Sequence, residues 1–424
     1  MKKATTSKSP AHEDKFFTKP LVIILLTVFI DLVGFGIVIP LLPYYGETFN
    51  ASPFEVGMLF AIYSAMQFVF APILGGLSDK YGRRPILFLS LVGSGVGYLF
   101  IGYASVLWMV FVGRIVAGVT GGNISTAQAY IADITTRENR AKGMGLFGAT
   151  FGLGFVFGPA IGGILSRYGI HVPFLFAACL SFANALALYF ILPETVDNQA
   201  NAELRTQNRF AAVFEALKDK RFSIITLLYF LVVSAFSIMT TSFTLFTMFR
   251  FGYDPEQNGY LFAYVGILAI IFQGVLFSRL VKKFGEAWLV VVGCFLLVGS
   301  LFTLPQIGPT SGGLTALLIS IAFFSLGNSL SSPALTSLAS KITDDKNQGK
   351  ALGTMQSAAS LARAVGPALA AVLLNNSFNK LDDFTVQRTF WVAAAIMFLS
   401  FLVAVYFAKI GQKHIHSIPS ENSI

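Results

Sequence analysis

Long apolar runs separated by short polar connections alternate along the chain from residue 20 to residue 409. Twelve of them are long enough to cross a bilayer, near 20–42, 55–76, 86–104, 107–127, 144–166, 173–192, 222–246, 258–280, 287–305, 314–334, 350–374 and 388–409. About 20 residues rising 1.5 Å each cover a hydrocarbon core of ~30 Å. Backbone polar groups in lipid must be satisfied inside the segment, so runs of this length predict helices and not strands. The first run is too long for a signal-peptide core and lacks a small-residue cleavage site, so it is expected to remain as a helix. The pattern predicts an all-α integral membrane protein with 12 transmembrane helices.

The polar stretch 193–221 is the longest connection and divides six spans from six. The expected organisation is an N-terminal tail (1–19), a six-helix bundle (20–192), a central loop (193–221), a second six-helix bundle (222–409) and a C-terminal tail (410–424). The halves resemble each other. Residues 131–145 and 338–353 share Ile-Thr, Asn, Lys and Gly at a shift of 208, and the same shift carries Gly158-Pro159 onto Gly366-Pro367. Lys80-Tyr81-Gly82 finds Lys283-Phe284-Gly285 at a shift of 203. Repeats on a six-span spacing imply two bundles related by a pseudo-twofold axis along the membrane normal, with a substrate site between them.

Composition agrees with the bilayer as solvent: 55% of residues are hydrophobic and 12% charged, against about a quarter charged in a soluble domain. The net charge of +9 is a topology signal. Of the 30 Lys and Arg, 24 fall in the tails and the loops on the tail side of the spans, and four on the other side. That bias places both termini in the cytoplasm and removes any need for a nucleic-acid partner. The setting expected is a bacterial inner membrane, the chain a monomer. Cys179 and Cys294 lie inside spans without metal-ligand spacing and are expected as small buried hydrophobes. No nucleophile–base pair, metal cluster or phosphate loop is apparent, so the chain is not expected to be an enzyme or to hold a cofactor; the only coupling species expected is a proton.

Three charges lie deep within spans: Asp31, Arg114 and Arg363. A charge in hydrocarbon is costly and is usually kept for transport or a proton relay. Helix rise puts all three near the midplane. Asp31 is expected to carry the proton, with Arg114 setting its affinity; the structural alternative is a permanent Asp31–Arg114 ion pair. Arg363 has two readings, a packing or gating role bonded to Gln67, or contact with an anionic group of a substrate. Gln67, Asn123, Gln128, Asn184, Gln273, Asn328 and Gln356 are polar positions within spans that are candidates to line a cavity, although interhelical hydrogen bonds are the commoner use.

The loop after the second span reads Gly75-Gly76-Leu77-Ser78-Asp79-Lys80-Tyr81-Gly82-Arg83-Arg84-Pro85. It resembles the signature loop of the major facilitator superfamily. Arg114-Ile-Val-Ala-Gly118 resembles that family's fourth-helix motif. Gly154-Phe-Val-Phe-Gly158-Pro159-Ala-Ile-Gly162-Gly163 is similar to the fifth-helix motif of its drug:proton antiporters, and Leu192-Pro193-Glu194-Thr195 to the end of helix six in that group. Asp31 through Pro43, with Ala129 through Thr135, resembles the tetracycline-exporter branch. The resemblance implies the two-bundle fold of that superfamily and efflux by alternating access. Asp79, Arg83 and Arg84 are expected to form an ionic latch, which Asp133 and Arg137 extend towards span eleven, while the fifth-helix motif controls opening, serves close packing, or both. One departure stands out. Tetracycline exporters carry a histidine in helix eight and an aspartate in helix nine, where this chain has Ala269 and Leu297, so their metal–tetracycline specificity does not carry over. Lys282 stands opposite Asp79 in the repeat, so no symmetrical latch is expected.

The leading expectation is a proton-coupled exporter of small amphipathic compounds. A dedicated exporter of an anionic metabolite or siderophore is the alternative within transport, and a non-transporting sensor or scaffold the alternative outside it.

Overall fold

The computed structural model describes residues 17–195, 218–343 and 348–415. Those residues form twelve helices long and apolar enough to cross a membrane. They are numbered α1 (Lys19–Glu47), α2 (Pro53–Tyr81), α3 (Arg83–Gly102), α4 (Leu107–Ile134), α5 (Arg137–Ser166), α6 (Val172–Ile191), α7 (Lys220–Phe251), α8 (Pro255–Phe284), α9 (Glu286–Thr303), α10 (Gly313–Lys341), α11 (Gln348–Leu374) and α12 (Asp383–Ile415). Several are longer than the apolar runs alone predict, because polar turns with their own caps extend them past the hydrocarbon. Ser52 and Glu55 close a capping box ahead of α2, and Asp254 and Gln257 do so ahead of α8. These reciprocal bonds satisfy amide groups that no helical carbonyl reaches.

The packing repeats between halves. In the first, α1 lies against α5 and α6, and α3 against α4 and α6; in the second, α7 lies against α11 and α12, and α9 against α10 and α12. Small residues set these approaches, as expected where lipid supplies no hydrophobic drive between helices. A Cβ on Gly158 would come within 2.7 Å of Gly36 on α1, and one on the repeat-related Gly366 within 2.6 Å of Ser237 on α7. The sequence repeat is therefore a repeat of helix contacts.

Two cross-bundle pairs, α2 with α11 and α5 with α8, join the halves. Twelve spans bring the start of α1 and the end of α12 to one end of the molecule, here the terminal end. At the opposite, far end the cores merge: Ile39 joins the second bundle's core, and Leu245 and Leu374 join the first's. Hydrogen bonds and an ion pair also cross between the bundles at the far end. Tyr44 donates to the Tyr253 carbonyl at 2.5 Å and accepts from Asn258, whose amide oxygen takes the Thr247 hydroxyl at 2.6 Å. Arg167 pairs in two-pronged fashion with Glu256. That bond holds the Arg167 guanidinium above its ordinary pKa.

Two spans are interrupted. α4 breaks at Thr120–Gly122, and α8 carries a π-helical segment over Phe272–Leu276. Both breaks fall beside candidate functional positions. Cys294 is buried as expected, but Cys179 is exposed, since its face of α6 points away from the bundle.

Candidate functional site

Asp31 sits midway along α1 and faces the break in α4. Two glycines and Thr120 end the first half of α4, and the second half starts at Asn123. The Asn123 side chain serves both sides of the break. Its oxygen accepts from its neighbour Ile124 N at 2.8 Å, and its Nδ2 donates to the Asp31 carboxylate. The half-helix N-terminus, with its positive end, thus begins beside the acid. Side chains bond the carbonyls around the break. Gln67 Nε2 donates to the Gly121 carbonyl at 3.0 Å, and Ser125 and Thr126 donate to Gly122 at 3.0 Å.

Arg114, on the first half of α4, is buried. Its Nε donates to the Leu59 carbonyl at 3.0 Å, and its guanidinium lies 4.2 Å from the Tyr63 ring centre. The Asp31–Arg114 ion pair, the structural alternative to a proton carrier, is absent among the described residues. Asn123 neutralises the polar demand of Asp31, and Tyr63 with a backbone carbonyl serves Arg114, so the two charges share a neighbourhood without a bond. Tyr63 on α2 is the common neighbour: Asp31, Arg114 and Arg363 all lie within its electrostatic reach.

Arg363 approaches from α11. Its terminal nitrogen is 3.3 Å from the Ser360 hydroxyl one turn earlier, and it has no acidic partner among the described residues. The bond to Gln67 that one of its two readings required is not made, because Gln67 is turned to the α4 break. An aromatic seam runs past this centre, with Tyr63 and Phe35 rings 5.6 Å apart and Phe35 and Phe155 6.3 Å apart.

The remaining cavity candidates divide. Asn184 is buried and donates to the Thr27 carbonyl at 2.9 Å, tying α6 to α1 inside the first bundle, so it is a structural bond and not a cavity wall. Asn123 belongs to the acid. Gln128, Asn328 and Gln356 are partly exposed, and Gln273 is exposed within the π segment; none has a side-chain hydrogen bond among the described residues. A cavity of about 370 Å³ at the far end, lined by Tyr45, Phe49, Tyr103 and His171, is away from the charged centre and contributes nothing to it.

The latch exists, but within one bundle. Arg83 is buried and contacts Asp79 at 2.5 Å, Asp133 at 3.1 Å and the Ser78 hydroxyl at 2.7 Å. Gly75 supplies the carbonyl that accepts from Ser78 at 2.8 Å. Arg84 lies 4.8 Å from the Tyr189 ring centre and bonds its carbonyl. Asp133 turns inward to Arg83 instead of reaching α11; the Arg137 side chain lies outside the described residues. Glu194 was missed as a member. Its carboxylate accepts from the Arg83 and Arg84 amides at 2.9 and 3.0 Å, capping α3. The signal was available, since an acid close to a motif loop is suited to a helix N-terminus. Gly82 takes φ +103°, which L-residues rarely adopt.

The fifth-helix motif has two faces. Gly154, Gly158 and Gly162, four residues apart, lie against α1 at Leu32, Val33 to Gly36, and Ile37. Pro159 and Gly163 lie against Gly259 and Glu256 of α8, across the bundle interface. One helix thus packs on the Asp31 helix and on the opposite bundle at once.

The comparisons with known proteins agree with this arrangement. The family profile described as Major Facilitator Superfamily matches residues 24–317 and 274–422. The chain is 34% identical over 396 residues to the tetracycline resistance protein, class H, of Pasteurella multocida, covering 92% of this chain and 96% of that protein. It is 30% identical to multidrug resistance protein 2 of Bacillus subtilis, covering 84% and 88%. The crystal structure of a bacterial homologue of the human lysosomal transporter Spinster has the same fold, with a TM-score of 0.74 at 15% identity and coverage of 94% and 98%. Twelve membrane-crossing helices in two contact-repeating bundles, the buried arginine latch and a matching profile over most of the chain make this protein a member of the major facilitator superfamily, a transporter and not an enzyme.

Proposed function

We propose that this transporter exports small amphipathic compounds from the cytoplasm in exchange for protons, by alternating access between the two bundles. The observation that carries the reading is Asp31, a carboxylate near the middle of a membrane helix whose bonded partner is neutral Asn123 and not a cation. A carboxylate locked to an arginine would stay ionised; one held by an amide can take up and release a proton as its access to water changes. The lysine and arginine bias supports cytoplasmic termini in a bacterial inner membrane. On that orientation the far-end clasp lies on the outer side of the membrane. The α1–α5–α8 contact gives Asp31 a mechanical route to the bundle interface. Relatives named for tetracycline and multidrug resistance support drug-like cargo, while Ala269 and Leu297 leave open which drug. Gln67 and Asn184 are assigned to structure; Arg363, Gln128, Asn328 and Gln356 remain as the cavity side.

The test is substrate accumulation in inverted membrane vesicles with an imposed pH gradient, using tetracycline and ethidium as probes. Wild type is expected to accumulate at least one of them and to release protons in return, and Asp31→Asn to lose both responses. Uphill, proton-dependent accumulation by Asp31→Asn would sink the reading. A second reading, export of an organic anion, is favoured by Arg363 having no acidic partner. It requires that Arg363→Ala abolish movement of a carboxylate dye while sparing ethidium.

A further inference from the structure

Asp31 and Asn123 also line a second space, and it is not the interface between bundles. Thr27 and Val28 on α1, Leu87 and Leu91 on α3, and Asn123 and Ile124 on α4 enclose with Asp31 a small cavity inside the first bundle. Its free volume of about 10 Å³ is that of about one water molecule. A buried water needs two to four polar partners. The Asp31 carboxylate, the Asn123 side chain and the Thr27 hydroxyl are available, and that hydroxyl makes no hydrogen bond among the described residues. Thr27 is one helical turn, ~6 Å, from Asp31 on the terminal side. Leu87 is one turn from Arg83, so the cavity lies between the acid and the latch.

We infer that this cavity is a proton-access site: a water held by Thr27 and Asn123 carries protons between Asp31 and the terminal side through the interior of the first bundle, separately from the route taken by cargo. The transfer is a hydrogen-bond exchange, the water giving one proton to the carboxylate and taking another from the next water or hydroxyl. The other ionisable groups around Asp31 do not occupy the space. Tyr63 on α2, Tyr98 on α3, Arg114 on α4 and Arg363 on α11 are the charged or titratable neighbours, and none lines it. Two routes explain how a carboxylate turned into one bundle can be loaded while cargo fills the gap between bundles. The inference rests on the proposed proton exchange.

The test separates proton flux from cargo movement in proteoliposomes, with tetracycline and ethidium counterflow measured without a gradient and proton release measured by a pH-sensitive dye. Leu91→Phe fills the cavity, and Thr27→Val keeps its shape while removing the hydroxyl. Both are expected to slow gradient-driven accumulation and proton release about tenfold, with counterflow within twofold of wild type and with Thr27→Ser restoring the rate. Wild-type proton release in Thr27→Val, or equal losses of counterflow and proton release in both variants, overturns the inference. A wild-type protein with no proton response at all would instead overturn the proposed function, so the two failures are distinguishable.

Discussion

In the loop after α2, Gly82 turns the chain at φ +103° and the next residue, Arg83, reaches Asp133 at the end of α4. In the repeat-related loop after α8, Gly285 turns it at φ +76° and the next residue, Glu286, reaches Lys341 at the end of α10, with Ser337 also donating to it at 3.1 Å. Asp133 and Lys341 are 208 positions apart, the shift of the repeat. The second half therefore has a latch after all, in reversed charge. Lys282, opposite Asp79 in the repeat, takes no part in it; the pair joins the start of α9 to the end of α10. What differs is depth. Arg83 is 4% exposed and binds two acids, while Lys341 is 62% exposed and binds one. Glu194 caps the first loop, and no such acid caps the second among the described residues. The first loop is therefore fastened to its bundle by more bonds than the second.

Breaking the two latches should give unequal results. Arg83→Ala removes the buried cation shared by the partly exposed Asp79 and Asp133 and is expected to cost about 2 kcal/mol, as for lost hydrogen bonds to charged groups, seen as a lower thermal midpoint in detergent. Lys341→Ala removes an exposed cation from Glu286, which keeps its Ser337 hydrogen bond, and should cost about 1 kcal/mol. Equal losses would remove the distinction between the more and the less firmly fastened loop.

The glycines sharpen it further. Alanine at either position meets a nearly glycine-only backbone conformation, unfavourable by about 1–3 kcal/mol. At Gly82 the added methyl also falls 2.4 Å from a Glu194 oxygen, whereas at Gly285 it meets open space. Gly82→Ala should therefore be the worse by about 1 kcal/mol, the net value of a typical hydrogen bond disturbed, and that excess should vanish in a Glu194→Ala background. A double-mutant cycle in thermal unfolding reads it.

Charge reversal asks whether the two arrangements are interchangeable. Glu286→Lys with Lys341→Glu should recover most of the loss of either single change, a coupling of about 0.5 kcal/mol. The same swap at Arg83 and Asp133 should recover little, because Asp79 and the Ser78 contact are specific for the guanidinium.

The smallest difference lies at the far end. Asp382 accepts from the Thr385 amide at 2.6 Å ahead of α12, while His171, at the matching start of α6, makes no side-chain cap. Asp382→Ala should cost up to about 1 kcal/mol, and His171→Ala close to nothing. The Thr385 amide holds the Asp382 carboxyl below its ordinary value of 3.8. A lowered folded-state pKa stabilises above the unfolded value and ceases to do so as pH falls through the folded one. The Asp382 contribution should therefore be constant from pH 5 to 8 and fade only in strong acid, as pH titration of the difference in thermal midpoint can show.

The apolar runs were enough to place twelve helices, because a bilayer leaves a backbone no other way to satisfy its polar groups. The repeat was legible as well, since glycines at Gly158 and Gly366 answer the same close helix approach in each half. Charge placement along the chain identified Asp31, Arg114 and Arg363 as the unusual positions, because few causes other than function keep a charge in hydrocarbon. Partners were another matter. An Asp31–Arg114 pair was one alternative, and Asp31 is held by Asn123; a Gln67 bond was one of two readings of Arg363, which bonds Ser360; Asn184 takes the interhelical role and ties α6 to α1. A sequence gives depth through helix rise and gives no rotation about the helix axis, so residues at one depth can face different neighbours. The break in α4, the direction of Asp133 and the water-sized space behind Asp31 all depend on that rotation, which is decided only when twelve helices pack together.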